Sequence, residues 1–277
     1  MISNISTAIN FLGIPSVVMY MEQILKKYPD HKNKIISIGS GGGYIEKLLD
    51  KLLGIDIICI DPEPLSYITD KTIYKYPKYS DVCDEKFPLS IYEDNCILFI
   101  NWSTPDKTNG YDIQSILRLK PICILTTVET GFYRGSGSIG FHHFLAFNGI
   151  STYGGYCAGI DKYEKPENID FRDYKYYTMD TTCNYKKPGF DESLNFQIIM
   201  MTKNKMLLDV KLPSVVKPYG SKENMDETDI FNVEWIPIRK RIEPIVKKII
   251  ILPANKDNAD IKNNIDDNIE LEMKTLF

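Results

Sequence analysis

The sequence predicts an α/β protein: a mostly parallel sheet with helices on both faces, extended by an antiparallel C-terminal hairpin near 174–202. Three observations carry that prediction. Short apolar runs without polar alternation recur at 34–38, 55–60, 95–101 and 121–128, the pattern of strands buried on both faces. Helical segments at 44–53 and 111–118 separate some of them. The first run breaks into Gly39-Ser40-Gly41-Gly42-Gly43 directly before a helix.

In chain order, Pro15 suits a first helical turn, and 17–27 carries apolar side chains at helical spacing until Pro29, Asp30 and His31 stop it. Strand 34–38, the glycine loop, helix 44–53 and strand 55–60 follow, the last ending on Asp61. One short strand is expected around 79–82. Strand 95–101 leads through a polar loop, 103–110, to helix 111–118 and strand 121–128. Past Glu129 the chain is rich in glycine and serine, with one short helix at 141–147. Residues 174–179 and 195–202 flank a turn-like segment at 185–192 and form the expected hairpin. Three parts result: an N-terminal helical segment (1–33), the α/β domain (34–205) and a C-terminal extension (206–277). From about 254 the extension is nearly all Asn, Asp, Lys and Ala, the composition of a mobile tail.

Composition narrows the function. The 277 residues are 43% hydrophobic and 25% charged with net charge −4, an ordinary globular balance without the basic field of a nucleic-acid binder. Six cysteines include no C-x-x-C pair, and Cys59, Cys96 and Cys123 lie within apolar runs, as buried reduced thiols do. With only His31, His142 and His143 beside them, no metal site is expected. The apolar run 8–20 is broken by Gly13 and Pro15 and falls short of the ~20 residues of a membrane span. With no basic leader before it, a cytoplasmic location is expected, and no membrane partner.

A strand that breaks at glycines and feeds a helix N-terminus makes room for a ligand. The missing Cβ atoms admit close approach, and the helix end carries about half a positive charge. A phosphate-binding P-loop is excluded, because Tyr44 and Ile45 follow Gly43 where Lys and Ser or Thr are required. A dinucleotide loop would place its third glycine at Tyr44, which weakens that reading. The spacing that does match is G-x-G-x-G at Gly39, Gly41 and Gly43, followed by a helix and the acidic strand end Asp61.

Segment 34–61 resembles the first half of a class I S-adenosylmethionine-dependent methyltransferase, a Rossmann-like family. The resemblance implies that Gly39, Ser40, Gly41 and Gly43 line the cofactor S-adenosylmethionine and that Asp61 holds its ribose. It also places catalytic or substrate-orienting residues just after the strand ending at Asn101, where Trp102-Ser103-Thr104-Pro105 stands. The chain departs from the family twice. Ser37 occupies the place of an acid, and the double proline of amino-methylating members is missing after Asn101. Nor does Asn101 supply the Asp of ribose-methylating members.

Other candidates each carry two readings. Glu129 and His142 form a general acid/base pair if they face one pocket; otherwise Glu129 caps a loop and the histidines pack or are solvated. Trp102 either stacks on adenine or a substrate ring or covers the sheet edge. Arg134 with 136–138 is an anion loop or a surface loop. Tyr153, Tyr156, Tyr163, Tyr174, Tyr176 and Tyr177 make a stacking surface for bases or a half-buried β surface. Asp81 and Asp84 are candidates for the adenine amino group.

The function expected is methyl transfer from S-adenosylmethionine to an oxygen or nitrogen of a nucleic acid, protein or small molecule. Asn101 and Glu129 would orient the acceptor, His142 would serve as base for a hydroxyl, and RNA or protein is the expected partner class. The first alternative is an inactive methyltransferase-like fold acting as an interaction subunit, with the C-terminal extension meeting a protein partner. The second is an NAD-dependent oxidoreductase.

Overall fold

The computed structural model describes residues 14–62, 75, 77–101, 103, 110–130, 136–150, 173–174, 176–186 and 193–204. Trp102, Arg134, Tyr153, Tyr156, Tyr163 and the whole extension 206–277 lie outside the described residues.

Helix α1 (Ile14–Lys27) opens the described chain and buries Val17, Val18, Met21 and Ile24. A 3-10 turn, Pro29–His31, redirects the chain into strand β1 (Ile35–Ile38), all four residues of which are buried. After the glycine loop come α2 (Tyr44–Leu53) and β2 (Ile57–Ile60). A one-turn helix, α3 (Leu89–Tyr92), precedes β3 (Ile97–Asn101). Then follow α4 (Tyr111–Leu119), β4 (Cys123–Thr130) and α5 (Ile139–Phe147). Strands β5 (Tyr176–Lys186) and β6 (Ser193–Thr202) end the sheet.

The six strands lie in the order β2-β1-β3-β4-β6-β5. The first four are parallel, and β6 and β5 are added antiparallel. This is a Rossmann-like sheet with an antiparallel C-terminal pair, the architecture read from the runs of isoleucine. Alternation sorts the strands' side chains. Ile35, Ile57, Phe99 and Leu125 pack with α1 and α2 on one face. Ile36, Ile60, Leu98 and Ile124 pack with α4 and α5 on the other.

Three departures from expectation bear on the strand ends. The strand expected at 79–82 is reduced to a single parallel bridge between Ile60 and Tyr79. Asp81 Oδ1 accepts from Cys83 N at 3.0 Å and Asp84 Oδ1 from Lys86 N at 2.9 Å, so these aspartates take the backbone into local turns. The hairpin strands reach Lys186 and Ser193, paired with each other, through a register shift between Thr181 and Cys183. Polar residues hid that extension, because the strands are specified there by each other. Strand β4 runs on to Thr130, so Glu129 lies within the strand, opposite Phe196.

Cys59, Cys96 and Cys123 are buried free thiols, and burial pushes all three above the usual thiol value, Cys96 to about 12. They are neutral packing groups at physiological pH. Among the described residues no helix is long and apolar enough to cross a membrane, and no cluster of metal-ligating side chains forms.

Candidate functional site

The parallel alignment of β1 and β2 sets the end of one strand beside the end of the other, which brings Asp61 under the glycine loop. Gly39 N donates to Ile60 O at 3.0 Å, Gly41 N to Asp61 Oδ2 at 2.8 Å, and Gly43 N to Ser40 O at 2.8 Å. Gly39, Gly41 and Gly43 all have positive φ. Asp61, 6% exposed, thus holds the loop with one oxygen.

The loop has an open side and a closed side. A Cβ added at Gly41 would meet no heavy atom within 4 Å. One at Gly43 would run into the Lys75 carbonyl oxygen and lie 2.8 Å from Lys75 Cβ. Lys75 N also donates to Gly42 O at 3.1 Å, while its ammonium pairs with Asp50 at 2.6 Å and Asp56 at 3.1 Å. Lys75 therefore clamps the loop from behind, and Gly43 is where the clamp needs room. Gly43→Ala is expected to lower stability by about 2–4 kcal/mol, through positive φ and overpacking together. A urea midpoint equal to that of the native chain would contradict this.

Two features of the loop fit a bound ligand: the space over Gly41, and the buried Ser40 hydroxyl. Ser40 Oγ lies beside the Cys59 thiol, a weak partner, and makes no other hydrogen bond among the described residues. The Cβ that Gly39 lacks would lie 2.7 Å from the Tyr111 hydroxyl and 3.4 Å from Asn101 O. The ends of β1 and β3 and the start of α4 therefore meet at one place.

At the end of β3, Asn101 is 8% exposed and stands directly opposite Thr127 of β4. Thr127 Oγ1 donates to Asn101 Oδ1 at 2.6 Å, which fixes the amide and leaves its nitrogen as the donating end. In the first turn of α4, fully buried Asp112 ties together the loops that follow β3 and β4. Its Oδ2 accepts from Ser103 Oγ at 2.7 Å and Ser138 N at 2.8 Å. Its Oδ1 accepts from Ser138 Oγ at 2.7 Å and Ile113 N at 2.6 Å. Ser138 in turn caps α5 by accepting from Phe141 N, and Gly137 N donates to Ser103 O at 2.8 Å.

His142 sits in the first turn of α5, 3% exposed, with Nε2 2.9 Å from Ser136 O. A ring nitrogen facing a carbonyl oxygen carries the proton, so Nε2 is committed to holding this loop. Glu129 is two residues beyond Thr127 in β4, and its side chain, like Trp102, lies outside the described residues. The structure thus joins Gly39, Gly41 and Asp61 in one loop, sets Asn101 beside it, and gives Gly43 and His142 roles in holding backbone. Of the tyrosines, Tyr174 is buried with its hydroxyl on Pro121 O at 2.7 Å, whereas Tyr176 and Tyr177 are exposed.

Ser37, the residue in place of an acid, donates to Glu46 Oε1 at 2.6 Å. Glu46 is fully buried in the first turn of α2, three residues past Gly43, and burial pushes its carboxyl up from 4.5 to about 7. The Ser37 hydrogen bond opposes that shift. The sign follows from linkage. The folded value exceeds the unfolded one, so Glu46's contribution is fully present below pH 4.5 and is lost as pH rises through about 7. Glu46→Gln stays neutral, so its stability advantage should grow across that interval and level off above it, on the order of 3 kcal/mol. Denaturation at pH 5 and pH 8 checks this; an advantage independent of pH would refute it.

Sequence reasoning missed Asp112, Glu46, Thr127 and Lys75. Helix starts at 44 and 111 were legible, but an acid in a first turn looks the same whether it faces solvent or a buried serine.

No family model matches the chain, and no curated protein matches it either. Among solved structures it is similar to the crystal structure of a dimethyladenosine transferase from Plasmodium falciparum, at 14% identity and a TM-score of 0.28. That alignment covers 68% of this chain and 60% of the other, so the chain spans less than two thirds of that protein. The function proposed for this chain rests on its own geometry.

Proposed function

We propose that the chain binds S-adenosylmethionine over the carboxyl ends of β1 and β3 and presents its methyl group to an acceptor facing Asn101. One observation carries this reading. The chain leaves β1 for β2 on one side and later returns to β3 on the other. Connections that diverge in this way open a crevice at the strand ends, where α/β sheets bind ligands. The open side of Gly41 and the Asn101 amide support this reading.

Bound there, the cofactor supplies an electrophilic methyl on a sulfonium. The chain's residues bind and orient. The loop's glycines accept close approach at the N-terminus of α2, which favours the methionine carboxylate. Asp61 receives the ribose hydroxyls while bracing the loop, Ser40 Oγ gains a partner, and Trp102 is assigned to the adenine. Asn101, fixed by Thr127, orients the acceptor, with Glu129 further along β4 as its companion. Holding the two reactants in line supplies most of the rate for a good nucleophile. His142, committed through Nε2, holds the loop and is given no proton to move. The acceptor class is a nucleic acid, a protein or a small molecule, and the extension 206–277 is the part assigned to a protein partner.

A non-catalytic reading, in which the fold serves as an interaction subunit, is favoured by one observation: Ser37 is spent on Glu46. Thermal unfolding with each cofactor separates the readings. At about 100-fold excess over Kd, S-adenosylmethionine or S-adenosylhomocysteine should raise the melting temperature by about 5–10 °C. A rise with NAD(H) alone would transfer the site to oxidoreductase chemistry. No rise with any of them would favour the interaction subunit.

A further inference from the structure

Glu46 is a titratable group for which the methyl-transfer reading has no use, yet it lies beneath the proposed cofactor loop. It sits in the first turn after the loop, is shut from solvent, and its carboxyl accepts from Ser37 Oγ near the end of β1 and from its own backbone N–H. The groups that face it are few. Asp50 lies one turn on along α2, the neutral Cys59 thiol comes from β2, and Lys75 is already paired with Asp50 and Asp56. No cation is therefore dedicated to a Glu46 carboxylate among the described residues. A positive charge brought to the loop would change that balance.

We propose that Glu46 is the charge-sensing residue of the cofactor site: a cationic ligand on the glycine loop is matched by ionisation of Glu46, so that binding expels a proton. The inference rests on the cofactor reading and adds to it a preference for the sulfonium form over its neutral thioether product. The balance is simple. The carboxyl O–H breaks, the proton passes to buffer, and no bond forms to the ligand. By linkage, the same coupling makes the cation bind more tightly as pH rises. Glu46's position near neutrality in the free protein makes the effect measurable around pH 7.

The test is titration calorimetry of the full chain with S-adenosylmethionine and with S-adenosylhomocysteine, at pH 7 in buffers of differing ionisation enthalpy. The sulfonium should release a fraction of a proton that the thioether does not. Its affinity should be about three- to tenfold higher at pH 8 than at pH 6. The ligands share their amino and carboxyl groups, so the difference isolates the sulfonium charge. Glu46→Gln should abolish the difference. Ser37→Ala, which removes a donor that favours the carboxylate, should move the maximum of proton release to higher pH. Binding of both ligands with buffer-independent heats, or an unchanged release in Glu46→Gln, would overturn this inference alone. Failure of both to bind would overturn the cofactor reading and this inference with it.

Discussion

Gly41→Ala should weaken binding of S-adenosylhomocysteine by more than about tenfold, equivalent to about 1.4 kcal/mol, while the fold survives. The two halves of that result have separate causes. No protein atom stands within 4 Å of the added Cβ, so nothing in the fold clashes with it. The remaining penalty is the positive φ of 54°, on the order of 1 kcal/mol for alanine. The methyl group instead projects into the space assigned to the ligand. Valine would fill more of that space, but a β-branched side chain at this φ adds strain, so alanine separates binding from stability more cleanly. Far-ultraviolet dichroism and a melting curve would establish the fold. Native-like affinity in a folded Gly41→Ala protein would remove the loop from the site.

The largest stability effect is expected at Asp112. Truncation to alanine removes four hydrogen bonds at once and leaves the hydroxyls of Ser103 and Ser138 and two backbone N–H groups without their acceptor in a closed interior. The expected loss is about 3–5 kcal/mol, a large part of the ~5–15 kcal/mol typical of a domain. The melting temperature should fall by about 6–20 °C. Asp112→Asn should fall between the two, since one acceptor becomes a donor aimed at donors. Denaturant unfolding of the three proteins checks the order. A loss below about 1 kcal/mol in the alanine variant would mean that the loops after β3 and β4 are not held together here.

The legible parts of the fold are those that local chemistry decides. Runs such as Ile35-Ile36 and Ile57-Ile58 declare strands buried on both faces, and the glycines between Ile38 and Tyr44 declare the turn into α2. Asp61 at the end of β2 was legible because an acid closes an apolar run there, whereas its bond to Gly41 N was not. What escaped depends on contacts across the chain. Asp112 and Ser138 are 26 residues apart, and neither sequence neighbourhood names the other. The turns at Asp81 and Asp84 stand where one short strand was expected. His142 kept two readings open, and the Ser136 O beside its Nε2 favours the one in which it packs and holds the loop. Burial of a polar side chain is decided by its partner, and the partner is set by the fold.

The central claim is that the crevice between β1 and β3 holds S-adenosylmethionine. Calorimetric titration of the native chain with S-adenosylmethionine and S-adenosylhomocysteine tests it most directly. Saturable one-to-one binding of both is expected, in the micromolar range typical of enzyme ligands, on the order of 1–100 μM. No heat from either ligand at millimolar concentration would contradict it.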